Sequence, residues 1–455
     1  MQDKLKINWS QQLELKKIII HAGPGKTGTS ALQKWLNSNR ELLSSHGVYY
    51  PKHSVAGHDI SSGHMGLLLR EKDKQWVLDD SKFNNLISKF ESMDEHTLLL
   101  SSEFFFRLIP DLVKRLPDAE FLLYVRNPTE MLESSYNQGV KRHGYFHKLK
   151  TPEKAPNQFW NTLDKILCAN EPIKMVLRPY HKECFHNGSI VADFLFSLGI
   201  EYRIEDSRIN PSYTLPALEF KRLANYFPLE KLSHRLDSAL QGYTKGSQRY
   251  SLIEPEMFAK LNRESMSSLQ GFLEKYDFGS LQPLLGKFSQ AKQKSFVEQH
   301  ATQSELGEVW QYLNEIDRTL SIELRDLVAK HANIPLDNET FYAVLGVTSK
   351  VRDISDIMDR ELIESVGRFT ISPDKRGKVL FELARYHETK GELNLSVSYS
   401  SAAHYYSPHN QRFFSFYIKQ LVKVNELTAS STANSDSKRK LSQRVQGLLQ
   451  LRRKK

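Results

Sequence analysis

Cysteine is almost missing from this chain: 455 residues carry two, Cys168 and Cys184. That excludes a disulfide framework and a cysteine-based zinc spacing, and it points to a reducing compartment. Long apolar runs are missing as well. No stretch approaches the roughly 20 residues of a membrane-spanning helix. Residues 1–17 scatter acids and bases among short apolar runs, unlike a secretory signal, so a cytoplasmic protein is expected. The histidines lack a clear ligand spacing, and no metal is expected. What is present, 40% hydrophobic and 25% charged residues, describes a soluble globular chain long enough for two or three domains. The net charge of +10 is concentrated at the end, where residues 426–455 hold eight Lys or Arg against Glu426 and Asp436. Such a Ser- and Gln-rich tail reads as a solvated, disordered segment, or as a peripheral contact for an anionic surface. No nucleic-acid partner is expected.

The most informative stretch is Lys16–Leu36, KKIIIHAGPGKTGTSALQKWL. Ile18, Ile19 and Ile20 are a β-branched run too short for a helix and read as a buried parallel strand. A loop of small residues follows, then a segment with helical apolar spacing at Leu32, Trp35 and Leu36. Strand, glycine loop and helix N-terminus together bind phosphate, because exposed amides and the helix dipole favour an anion. Lys26 adds a full positive charge, and Thr27, Thr29 and Ser30 add hydroxyls. A Walker loop is excluded, since its first glycine would fall at Ile20.

A second motif is Phe121–Lys141, FLLYVRNPTEMLESSYNQGVK. Phe121–Val125 suits a central strand ending at Arg126. Asn127 suits a helix cap, Pro128 the first helical position and Glu130 the first turn. Ser134 follows Arg126 by eight residues, two turns past the cap.

Gly23-Pro24-Gly25-Lys26-Thr27-Gly28-Thr29-Ser30 resembles the 5′-phosphosulfate loop of sulfotransferases that use 3′-phosphoadenosine 5′-phosphosulfate (PAPS). Arg126 and Ser134 resemble the pair with which that family holds the 3′-phosphate. Arg178-Pro179-Tyr180, residues 188–200 and Asn210-Pro211-Ser212 look like later landmarks of bacterial sulfotransferase-like proteins. The tryptophan that cytosolic members carry near Ala31, and their late R-K-G-x-x-G segment, are missing here. The resemblance implies an α/β fold, a P-loop-type parallel sheet flanked by helices, over residues 1–280. A mostly α-helical region spans 281–425, and the basic tail spans 426–455. Within the helical region, Asp374–Asn410 resembles a tetratricopeptide-type hairpin, with Leu380, Leu383 and Ala384 on one helix, Gly391 at the turn, and Ala403 and Pro408 beyond it.

Residue patterns alone place strands at Ile18–Ile20, Thr97–Leu100, Phe121–Val125 and Ile173–Leu177. They place helices through about Leu43, near Phe83–Phe90, at Asp111–Leu116 and at Gly188–Leu198, with a loop over 44–75. The ligand of a parallel sheet sits at the strand C-terminal ends, and Lys26, Glu103, Arg126 and Ser134 all follow such ends.

The resemblance implies sulfuryl transfer from PAPS to a hydroxyl acceptor, with carbohydrate favoured by family habit. Gly23, Gly25, Lys26, Thr27, Gly28, Thr29 and Ser30 would hold the 5′-phosphosulfate. Lys26 would stabilise the leaving oxygen. Glu103 and His64 are equal candidates for the base, with His53 and His58 behind them as ordinary loop histidines. Two other classes stay open: a P-loop nucleotide-dependent phosphotransferase reusing Lys26 and Thr27, and a non-catalytic nucleotide-binding scaffold built on the C-terminal helices.

Overall fold

A computed structural model of the chain describes residues 16–53, 63–73, 75–169, 173–202, 212–351 and 372–429. The chain forms two compact units, each drawing on separated segments: 1–135, 150–211 and 251–297 in the first, and 136–149, 212–250 and 298–455 in the second. His58, Asn210, Pro211 and the tail from residue 430 lie outside the described residues. No described helix is long and apolar enough to cross a membrane.

The first unit is an α/β layer structure. β1 (Lys17–His21), β2 (Val48–Tyr49), β3 (Thr97–Ser101), β4 (Glu120–Val125) and β5 (Lys174–Pro179) form one sheet in the order β2-β3-β1-β4-β5. Every pairing in it is parallel. The isoleucine run of β1 is apolar on both sides because both faces of the sheet are covered. Alternate residues serve opposite cores: Ile20, Leu98, Leu100, Phe121 and Leu123 pack in one, Ile19, Leu99, Leu122 and Tyr124 in the other. The chain leaves β1 toward one edge and β4 toward the other. The crevice outside the C-terminal ends of these two neighbours is therefore the expected ligand site of such a sheet.

Three helices frame that crevice: α1 (Thr29–Ser38), α2 (Pro128–Arg142) and α3 (Ile190–Ser197). α1 stops well before Leu43. Asn39 leaves the helical region at φ −116°, ψ 34°, its side chain donates to the Trp35 carbonyl at 2.8 Å, and a separate helix follows at Arg40–Ser45. An asparagine amide that bonds its own backbone competes with the helical ladder. α2 begins at Pro128, and the Asn127 carboxamide accepts the Thr129 amide at 3.0 Å. Residues 44–75 hold more structure than a loop. β2, a turn of helix at Met65–Leu68 and the strand Leu69–Lys72 lie there, the last paired antiparallel with Gln75–Leu78 at the segment's end. α3 is tied to the sheet by buried Asp193, which accepts two bonds from Arg178 at 2.7 and 2.5 Å and one from the Tyr124 hydroxyl at 2.7 Å.

The second unit is helical in its main elements. α4 (Leu215–Ala224) is buried along its whole length, including Glu219, Lys221 and Arg222. α5 (Arg318–Lys330) follows Asp317, whose carboxylate accepts the Leu320 amide. α6 (Pro373–Thr389) and α7 (Leu393–Tyr406) form a helical hairpin around Leu380, Phe381, Ala384, Ala402 and Ala403. Gly391 sits at its turn with φ 75°. A last helical stretch runs over 411–429.

Candidate functional site

Three consecutive strands of the sheet, β3, β1 and β4, deliver the candidate residues at their C-terminal ends. β1 runs into the loop Ala22–Gly28, in which Gly23, Lys26 and Gly28 have φ of 79°, 73° and 73°. A left-handed lysine costs about 1 kcal/mol and marks a backbone held for a purpose. Gly28 opens α1 without any side-chain cap, so the first amides of that helix are not claimed by a capping side chain. Thr27 is buried and donates its hydroxyl to the Pro24 carbonyl at 2.6 Å, which closes the loop on itself. Thr29 is buried too, and Ser30 is half-buried.

Glu103 follows β3, opens a 3-10 turn at Glu103–Leu108, and is exposed. It lies directly against the loop. A β-carbon at Gly23 would stand 3.1 Å from the Glu103 Cα, and one at Gly25 3.0 Å from its Oε2. These two glycines therefore permit the close approach of the two loops, which spacing alone does not reveal.

Arg126 follows β4 and reaches the same loop. Its Nη1 donates to the Lys26 carbonyl at 2.9 Å, its Nε faces Glu130 Oε2 at 3.4 Å, and its guanidinium sits 5.2 Å above the Tyr180 ring. Ser134 is half-buried on α2. Six residues past Pro128, it stands about 9 Å further along the helix axis. The structure thus brings Lys26, Glu103 and Arg126 to one loop, with Ser134 further along the adjoining helix.

His64 occupies a different environment. It is buried, its Nδ1 accepts the Ser101 amide at 2.9 Å, and its Nε2 donates to the Pro51 carbonyl at 2.7 Å. With both nitrogens engaged by backbone, the ring has no lone pair for an acceptor proton. Burial above all, opposed by the bond to Pro51 and assisted by neighbouring His53, holds its pKa down at about 3. His53 is buried beside it, with its Nε2 3.1 Å from the Tyr50 hydroxyl.

Motif spacing missed the hub of this region. The β1–β3 register pairs His21 with Ser101. The Ser101 hydroxyl lies 2.8 Å from His21 Nδ1 and accepts from Gln33 Nε2 at 3.2 Å. His21 closes the isoleucine run of β1, and a histidine ending a buried strand was the available signal.

Acid should dissolve this hub. His21 and His64 titrate near 3 in the folded chain against an ordinary 6.5, both because of burial. Between those values the unfolded chain binds protons that the folded chain refuses. Their stability contribution is therefore full above about pH 6.5 and is lost as pH falls, by about 1.4 kcal/mol per pH unit for each ring. Denaturant unfolding from about pH 6 to about pH 4 should show this slope. His64→Gln and His21→Asn should each flatten it, and an unchanged slope in both would assign it to other groups.

Among the described residues no three His, Cys, Asp or Glu side chains converge as metal ligands. What the arrangement offers is an anion cradle with a cation, a carboxylate and an arginine at its rim. Comparison with family models, curated proteins and solved structures finds no match to this chain.

Proposed function

We propose that the chain is a PAPS-dependent sulfotransferase acting on a hydroxyl acceptor, with carbohydrate as the acceptor class, on a P-loop-type fold. The observation that carries this reading is the meeting of two sequence motifs 100 residues apart, through the Arg126 bond to the Lys26 carbonyl. A loop that held a 5′-phosphosulfate and an arginine that held a 3′-phosphate would have to be neighbours, and the Arg126 bond to the Lys26 carbonyl supports that reading. The donor set fits such a ligand, with uncapped amides at the start of α1 and left-handed backbone at Lys26 and Gly28.

In this reading the acceptor oxygen forms its bond to sulfur as the bond from sulfur to the bridging phosphate oxygen breaks. 3′-Phosphoadenosine 5′-phosphate leaves, and negative charge collects on that oxygen. Lys26 answers the charge with its ammonium. Glu103 takes the acceptor proton, since it is exposed beside Gly25 whereas His64 is sealed by two backbone bonds. Arg126 and Ser134 select the 3′-phosphate and so separate PAPS from ATP.

3′-Phosphoadenosine 5′-phosphate should raise the melting temperature, and ATP with magnesium should not. Arg126→Ala should weaken PAPS by about 2 kcal/mol while leaving adenosine 5′-phosphosulfate, which lacks the 3′-phosphate, nearly unchanged. Protection by ATP with magnesium alone would favour the phosphotransferase reading, and equal losses for both sulfated ligands would reject the role of Arg126.

A further inference from the structure

We propose that the second unit holds a binding site for a small anionic sugar, a phosphate- or carboxylate-bearing polyol, in the cavity beside the end of α5. The cavity has a volume of about 690 Å³ and is lined by Lys330, Lys350, Asn333, Asn425, Val351 and Leu421 among others. That is well beyond a single oxyanion and within the range of organic-ligand pockets.

The chemistry of the lining is one-sided. Among the described residues no carboxylate lines the cavity, whereas two lysines do. Asn333 and Asn425 donate to one another's carbonyl oxygens at 3.1 and 2.7 Å. Asn425 Nδ2 also lies 3.2 Å from His331 Nδ1, which leaves the His331 proton on Nε2. That nitrogen is buried with no hydrogen-bond partner. The carboxamide pair is thereby fixed, and the Lys350 amide bonds the Ala332 carbonyl at 2.8 Å, which ties a second lining segment to the residue beside Asn333. A prearranged wall with two cations and a spare carboxamide N–H selects an acceptor-rich anion. Val351 and Leu421 add an apolar surface for the carbon face of a ring. Among the described residues no aromatic side chain lines the cavity, which offers a nucleobase no stacking platform there. This separates the site from the nucleotide site proposed for the first unit.

The test uses the full chain and glucose 6-phosphate as probe, with glucose, inorganic phosphate and AMP as comparisons, by saturation-transfer NMR and calorimetry. Glucose 6-phosphate should bind saturably and more weakly as salt rises, at least about tenfold tighter than glucose, phosphate or AMP. K330Q with K350Q should weaken it by about tenfold or more without lowering the melting temperature. V351W, which fills the cavity and keeps both charges, should abolish binding. Failure of glucose 6-phosphate to saturate at about 10 mM, at which even a weak millimolar site would be mostly filled, overturns the proposal. So does phosphate or AMP binding as tightly as the sugar phosphate, or affinity surviving both sets of substitutions.

Discussion

Lys26→Ala is expected to lower single-turnover transfer from PAPS by roughly 100- to 1000-fold while leaving affinity for 3′-phosphoadenosine 5′-phosphate within a few-fold. An ammonium that answers charge developing on the leaving oxygen acts mainly in the transition state, so its loss appears in turnover more than in binding. The left-handed backbone of Lys26 puts its carbonyl under Arg126, so Lys26→Gly, which relaxes the backbone, serves as a second variant. Glu103→Gln should cost roughly 100-fold with PAPS affinity kept, as expected for loss of a general base. His64→Gln should instead show its deficit in stability. The measurement is consumption of radiolabelled PAPS against a panel of saccharide acceptors. Normal rates in Glu103→Gln would move the base to the acceptor's own chemistry. A Lys26→Ala loss confined to binding would remove the charge role.

The largest stability effect is expected at Arg222. Its side chain is buried and forks onto Glu219, with Nε at 3.0 and 3.1 Å and Nη2 at 2.9 Å. Its Nη1 donates to Asp337 at 3.0 and 2.8 Å and to the Phe146 carbonyl at 2.8 Å. Gln299 adds a bond to Glu219 at 2.7 Å. Arg222→Met would leave the Glu219 charge buried beside one amide donor, and should cost about 3–5 kcal/mol in denaturant unfolding. The double variant R222M with E219L should regain a substantial part, because a matched apolar pair strands no charge. A single-variant loss below about 1 kcal/mol, or a double variant worse than the single, would show the network to be incidental.

The order of events along the first unit was legible in the residues. The apolar runs at Ile18–Ile20, Leu98–Leu100 and Phe121–Val125 became central strands, because a β-branched or continuous apolar run that short can be buried only between two layers. The Asn127-Pro128 start of α2 was legible for a similarly local reason, since a carboxamide cap and a ring locked at helical φ act within one turn. A helical hairpin at 373–406 was expected from the likeness of Asp374–Asn410 to a tetratricopeptide-type pair, with Gly391 between its arms.

Tertiary structure decided what depends on residues far apart in the chain. Only the β2-β3-β1-β4-β5 order brings Glu103 and Arg126 to either side of the Lys26 loop, and no local pattern encodes which strands are neighbours. Burial decided His64, a loop histidine by composition that the fold seals between the Pro51 carbonyl and the Ser101 amide. It also decided α4, whose charged residues Glu219, Lys221 and Arg222 lie buried inside the second unit. Charge is legible in a sequence, but its desolvation is not, because desolvation is set by what packs around it.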